Sequence, residues 1–202
     1  MFEIKVEKLT KKYGRKEVLS NINLLIDNKK INFLIGDNGI GKTTFIKCLK
    51  NIISYEGYIN SECYEISYSP DKVNYPDFIS VYNFLYLLFK ANNIKTSKMK
   101  KLIIDYLRKF EIYKYRNTPI IKLSKGTKQK ISLIQALAQD KEVYVFDEPL
   151  NGIDEESRNI FMDEIIKLKE KNKLILIITH QLDKFIFKDI NIINFNDYVK
   201  TN

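Results

Sequence analysis

"INFLIGDNGIGKTTFIKCL", residues 31–49, decides the fold. An apolar run, INFLI, leads into a glycine-bearing turn, and an amphipathic segment, TTFIKCL, leads out of it. The turn fits G-x-x-x-x-G-K-[ST], with Gly36, Gly41, Lys42 and Thr43 in the fixed places. Such a loop needs glycines because successive backbone N–H groups must converge on phosphate oxygens, and the following helix adds partial positive charge at its start. Lys42 is placed to reach the β- and γ-phosphates of a nucleotide, and the Thr43 hydroxyl to ligate Mg2+. Asp37, Asn38, Gly39 and Thr44 complete the phosphate-facing stretch. A glycine-rich turn that only starts a helix is the plain alternative. The strand before it and the helix after it argue for the phosphate cradle.

A cradle alone does not separate a nucleotide kinase, a GTPase and an ATPase motor. The second element does. "VYVFDEP", residues 143–149, is an apolar strand that ends in two adjacent carboxylates. Asp147 is placed to hold Mg2+, and Glu148 to orient or deprotonate an attacking water. Other strand-like runs are EIKVEKL (3–9), YEISY (64–68), LILII (174–178) and INIINF (190–195). Continuous apolar runs followed by helix starts are how buried parallel strands look. Between 81 and 139 the pattern turns helical, in VYNFLYLLFKA, SKMKKLIIDYLRKF and KQKISLIQALAQ.

The stretch LSKGTKQK, residues 123–130, is a second glycine-containing helix start, lying a helix's length before VYVFDEP. With it in place the chain resembles an ABC-type ATPase, specifically the ATP-binding subunit of an ABC transporter, over nearly its whole length and in the family's motif order. The resemblance implies a P-loop NTPase α/β fold: a mainly parallel sheet core, an N-terminal antiparallel β portion and an inserted helical subdomain. One domain is expected over 1–202, with the nucleotide-binding core in 1–70 and 140–202 and the helical subdomain in about 71–139. Tyr13 stands where the family stacks an aromatic ring on adenine, although a packed surface ring would look the same. Leu123-Ser124-Lys125-Gly126 matches the signature, with Lys125 in place of a glycine. LNGID (150–154) resembles the D-loop, with Asn151 in place of its usual serine and Asp154 as its aspartate. His180, the one histidine of the chain, matches the switch histidine. In ISYSPDK, Asp71 replaces the glutamine that touches Mg2+; it either faces the metal through water or merely forms a turn after Pro70.

The resemblance further implies ATP and Mg2+ as cofactors and a head-to-tail homodimer or heterodimer. In that pair, Ser124 and the Gly126 backbone meet the γ-phosphate held by the other subunit's cradle. An integral membrane transporter subunit is the expected partner, and the aromatic edge near Tyr75 and Phe78 a candidate docking groove. Export is expected over import from the LSKG-type signature. A non-transport ABC ATPase acting on nucleic acid or ribosomes is the alternative.

The formal net charge of +9 invites a nucleic-acid reading, but the lysines are spread along the whole length, so no nucleic acid is expected. No apolar run reaches the ~18 residues that span a bilayer. MFEIKVEKL lacks a signal peptide's apolar core, and Cys48 and Cys63 match no metal spacing, which suits free thiols in a reducing cytosol. The expected location is therefore cytoplasmic, on the inner face of the membrane through the partner, with no C-terminal regulatory domain after INIINF.

Overall fold

The computed structural model describes residues 3–60, 64–92 and 94–198, which leaves Cys63 outside the described residues. The strands are β1 (Glu3–Tyr13), β2 (Lys16–Asp27), β3 (Ile31–Ile35), β4 (Glu56–Ile59), β5 (Ile66–Ser69), β6 (Val143–Asp147), β7 (Leu174–Ile178) and β8 (Ile190–Asn194). The α-helices are α1 (Lys42–Leu49), α2 (Val81–Ala91), α3 (Thr96–Lys109), α4 (Lys125–Leu137) and α5 (Glu155–Glu170). They form an antiparallel sheet of order β2-β1-β4 and a five-stranded sheet of order β5-β6-β7-β3-β8. This is the parallel core, antiparallel portion and helical segment expected of the fold class. Beyond the runs read from sequence, the structure adds β2, β4 and α5.

The chain divides into two compact units: residues 1–66, 141–145 and 168–202, and residues 67–140 with 146–167. In the first, β3 pairs in parallel with β7 and with β8, in registers Leu34↔Ile178 and Ile35↔Asn194. Leu174 to Ile178 are all buried, as a strand covered on both faces requires. Asn32 breaks the apolar run of β3 yet is fully buried. Its amide donates to the carbonyls of Asp27 (2.8 Å), Lys30 (3.1 Å) and Ile175 (3.1 Å), and its oxygen accepts from Asn191 (3.0 Å). One polar side chain thus fastens the entry of β3 to both neighbouring strands. Strand β2 alternates poorly because the ladder to β1 shifts register between Val6 and Leu9 and between Leu9 and Lys11. Lys8 (φ 52°) and Asn21 (φ 49°) take left-handed backbones there, which hides the strand's period of two.

The second unit is helical. Val81, Leu85 and Phe89 of α2 and Met99, Ile103 and Leu107 of α3 are buried at intervals of four, as one face of each helix dictates. Helix α4 is buried on most sides, from Gln129 to Ile134 and again at Ala136 and Leu137. The Phe146 and Phe161 rings meet edge-on, with centroids 5.0 Å apart. Glu164 accepts from Lys109, Lys167 and Tyr106. Burial pushes its carboxyl up, but the two ammoniums and the phenol more than offset this and hold it below the ordinary value. The two rings of the expected aromatic edge differ in exposure. Tyr75 is half-buried, donates its hydroxyl to the Lys128 carbonyl (3.0 Å) and packs edge-on against Phe84 at 5.1 Å, so of the two rings only Phe78, 93% exposed, stands in solvent.

Replacing Asn32 by leucine keeps the branched shape but removes three donated hydrogen bonds, and strands the buried Ile175 carbonyl and the Asn191 amide. The Asn32→Leu chain is expected to lose about 2–3 kcal/mol of stability, read as a lowered urea midpoint at unchanged slope.

Candidate nucleotide site

In the first unit the cradle follows β3. Gly41 caps α1 with a left-handed φ of 113°, and no side chain caps that helix, so its first turn offers backbone N–H groups to an anion. Gly41 must be glycine for a second reason: a Cβ there would stand 2.8 Å from Leu19 Cδ2 of β2. Lys42 folds across the loop, its Nζ donating to the carbonyls of Gly36 (2.6 Å) and Asp37 (2.8 Å). The Asp37 N–H donates to Asn196 Oδ1 (3.1 Å), just beyond β8. Asn196 is a buttress of the cradle that sequence reasoning missed; only its place after a parallel neighbour of β3 could have signalled it. Asn38, Gly39, Thr43 and Thr44 sit between or beside these fixed points. The donor set of glycine backbone, ammonium and helix start suits the phosphates of ATP, and the hydroxyl of Thr43 is an oxygen donor of the hard kind Mg2+ takes.

His180 lies two residues beyond β7, as Gly36 lies one beyond β3. Because the strands are parallel and paired Leu34↔Ile178, both leave the same edge of the sheet, where α/β proteins bind ligands. The His180 ring contacts the Gln181 amide at 2.9 Å, and the Gln181 N–H donates to Thr179 Oγ1 (3.0 Å). Tyr13 ends β1, half-exposed, with the Lys11 ammonium 5.0 Å from its ring centre. It belongs to the same β1–β2 hairpin whose Val18 and Leu19 pack on Gly41. Cys48, on α1, is fully buried, and burial pushes its thiol up to about 11, which keeps it protonated.

The acidic turn belongs to the second unit. Asp147 ends β6, only 7% exposed, and its Oδ2 accepts from the Tyr68 hydroxyl at 3.4 Å. Burial, then the Asp147 charge, raises the Tyr68 hydroxyl well above the ordinary phenol value, so it remains a donor. Tyr68 was not foreseen. Its only sequence signal is its place just before SPD. Glu148 has a left-handed backbone, φ 49°, a strained state for a non-glycine residue that the surroundings must impose. Its carbonyl accepts from the Asn151 N–H (3.2 Å) and lies 3.4 Å from the Gln129 amide nitrogen, which donates to it. Asp71 meets this turn as well: its Oδ1 accepts from Asn151 Nδ2 at 3.2 Å.

The signature stretch starts α4. Ser124 is its N-cap, accepting from the Thr127 N–H at 3.2 Å. Gly126 packs directly on the D-loop of its own chain: a Cβ added there would stand 2.3 Å from the Gly152 carbonyl oxygen. Its lack of a side chain is therefore needed within the subunit. Lys130, four residues on, pairs with Asp154 at 2.7 Å.

A family model described as "ABC transporter" matches residues 19–151, from the strand beside the cradle to the acidic turn. An uncharacterised ABC transporter ATP-binding protein of Methanocaldococcus jannaschii is 35% identical over 90% of this chain and 70% of its own length. The manganese transport system ATP-binding protein of Bacillus subtilis is 29% identical over 90% of this chain and 78% of its own. In fold, the chain matches a dimeric ATP-binding cassette with ADP and phosphate bound, at a TM-score of 0.81 and 20% identity over 95% of this chain and 94% of that one. The chain belongs to the ABC transporter ATP-binding family. It binds ATP, and it is an ATPase.

The Asp154 carboxyl is held far below the usual carboxylate range, first by the Lys130 hydrogen bond. A depressed carboxyl stabilises the fold above its unfolded value, near 3.9, and loses that contribution only as pH falls through the lower folded value. Asp154→Asn should therefore lower Tm at neutral pH, with the gap from the native chain closing in strong acid. Gly126→Ala should lower Tm without nucleotide, because the clash with Gly152 arises inside one subunit; thermal unfolding of the isolated chain measures both.

Proposed function

We propose that this chain is the energy-supplying subunit of an ABC transporter, acting as one cassette over residues 1–202 and driving a separate integral membrane subunit. The reading rests on one observation above the rest: the family match covers cradle, signature and acidic turn together, while no helix among the described residues is long and apolar enough to cross a membrane. The chain would lie on the cytoplasmic face of the membrane through that subunit.

In the proposed chemistry the backbone of residues 36–44 and the Lys42 ammonium bind and orient the ATP phosphates, and Tyr13 stacks on the adenine. Thr43 and Asp147 are the residues that would hold Mg2+, which would supply charge neutralisation at the phosphates. Tyr68 keeps one Asp147 oxygen hydrogen-bonded, limiting the directions in which that carboxylate can point. Glu148 takes the proton of the attacking water or aligns it, and His180 contacts the γ-phosphate. Two copies, or this chain and a similar one, pair head to tail, so that Ser124 and the start of α4 face the ATP held by the other. That a cassette of similar fold is dimeric with ADP and phosphate bound supports the pairing of two copies. Closure then depends on the γ-phosphate and reversal on its loss, a movement the membrane subunit can use. The export direction rests on the signature alone; the manganese relative's name gives a cargo and no direction.

Lys42→Ala should bind ATP at least tenfold more weakly in equilibrium titration. Glu148→Gln should bind ATP normally and release phosphate about a hundredfold more slowly or worse; native turnover in that chain would remove Glu148 from its role. With ATP and Mg2+, Glu148→Gln chains should shift from monomer to dimer in light scattering. Adding Lys125→Glu, an exposed charge reversal in the first turn of α4 that spares the Gly126–Gly152 contact, should abolish the shift. Gly126→Asp would not test this contact cleanly, since it also breaks packing inside its own subunit.

A further inference from the structure

Two positions where this chain departs from the family pattern are hydrogen-bonded to each other. Asp71 stands where the glutamine is usual and Asn151 where the serine is usual, 80 residues apart, and Asn151 Nδ2 donates to Asp71 Oδ1 at 3.2 Å. Each side chain suits the other. A serine hydroxyl reaches one bond less far than an asparagine amide, and a carboxylate makes a stronger acceptor for that amide than a neutral group would. The same Asn151 also closes the acidic turn through its backbone, N–H to the Glu148 carbonyl at 3.2 Å.

Glu148 is the reason this matters. A glutamate at φ 49° is strained and keeps that backbone only while its neighbours over-determine it. Among those neighbours are the Asn151 N–H, the Gln129 amide at the Glu148 and Pro149 carbonyls (3.4 Å each), and the Lys130–Asp154 pair that anchors the far end of the loop. Asp71 restrains the side chain of Asn151, whose backbone N–H makes the shorter of the two hydrogen bonds to the glutamate's own carbonyl. A cavity of about 280 Å3 opens beside Asp71, bounded by Tyr75 and the first turns of α4, so an unrestrained Asp71 side chain has room to turn away.

We propose that the Asn151–Asp71 hydrogen bond is a latch within one subunit that fixes the acidic turn and with it the direction of Glu148, making Asn151 a positioning residue for hydrolysis. Asp71 then acts on the reaction through Asn151. The inference rests on Glu148 serving in hydrolysis, as proposed above.

The test exchanges the two side chains, which preserves size and reverses donor and acceptor. Asn151→Asp alone sets two carboxylates against each other. It should lower Tm of the nucleotide-free chain by about 2–4 °C, speed amide exchange at residues 148–151, and cut kcat about tenfold while leaving KM for ATP within about twofold. Asn151→Ser, a milder change, should lower kcat in the same direction. The Asp71→Asn/Asn151→Asp pair should restore Tm, exchange protection and kcat together. Native kcat in Asn151→Asp overturns the latch. So does a double exchange that restores Tm but leaves kcat low with a raised Mg2+ requirement, since Asp71 would then serve the metal directly. Native turnover in Glu148→Gln removes the underlying role instead, and is read in a separate chain that keeps both latch residues.

Discussion

A buried ammonium organises the second unit. Lys130 Nζ, on a side chain only 10% exposed, meets Asp154 at 2.7 Å and the Phe110 carbonyl at 3.3 Å. A cation withdrawn from water must be paired, because an unpaired one costs several kcal/mol even after relaxation. The partner carboxylate serves twice, since its other oxygen accepts from the Ser157 N–H at 2.9 Å and so caps α5. One charge pair thereby sets where α4, the end of α3 and the start of α5 meet. The loop between β6 and α5, which carries Glu148 and Asn151, is held at its far end by the same carboxylate. With that end fixed, the Gly152 carbonyl can press against Gly126 and leave no room for a side chain there.

The first unit solves a different problem, how to hold a glycine-rich loop in one shape. Backbone freedom at Gly36 and Gly41 would make the loop floppy in an isolated peptide. Here the Lys42 ammonium bridges two of the loop's own carbonyls, and Asn196 takes the Asp37 N–H from the other side. Beneath, the Asn32 amide ties β3 to β7 and β8, so that the strand feeding the loop cannot slide relative to its neighbours. The loop's shape is thus set by polar contacts below and beside it, which leaves glycine backbone and helix start for the proposed phosphate contacts. His180 leaves the same sheet edge for the same reason: parallel strands in register deliver their following residues to one side.

Strain and burial concentrate at the acidic turn. Asp147 is withdrawn from solvent, and a tyrosine kept protonated by its surroundings donates to it. Glu148 carries an unfavourable backbone angle stabilised by hydrogen bonds from Asn151 and Gln129. A carboxylate held on such a backbone points where the loop dictates, which is the property a group that aligns water requires. The departures at Asp71 and Asn151 fit that economy of contacts, because each supplies what the other lacks.

Much of this was legible in the sequence, and the reason is locality. The cradle, the buried strands and the acidic pair are fixed by residues adjacent in the chain: an apolar run, a spacing of glycines and lysine, a carboxylate at a strand's end. Local order was lost where irregularity masks the period, as in β2 with its register shifts, where four residues leave too little pattern, as in β4, and where polar residues such as Ser157 and Glu164 occupy the buried face, as in α5. What the sequence could not supply are contacts between distant positions. Residues 71 and 151, 68 and 147, 37 and 196, and 126 and 152 meet only because strands and helices carry them together. The same holds for Tyr75, which a linear reading places on an open edge and the packing of α2 and α4 turns inward. The sequence by itself determined which chemistry this protein carries, since residue type and short spacing suffice to define a phosphate cradle and an acidic turn. Only the tertiary structure decided how those groups are aimed, because direction depends on hydrogen bonds and close contacts closed across the chain.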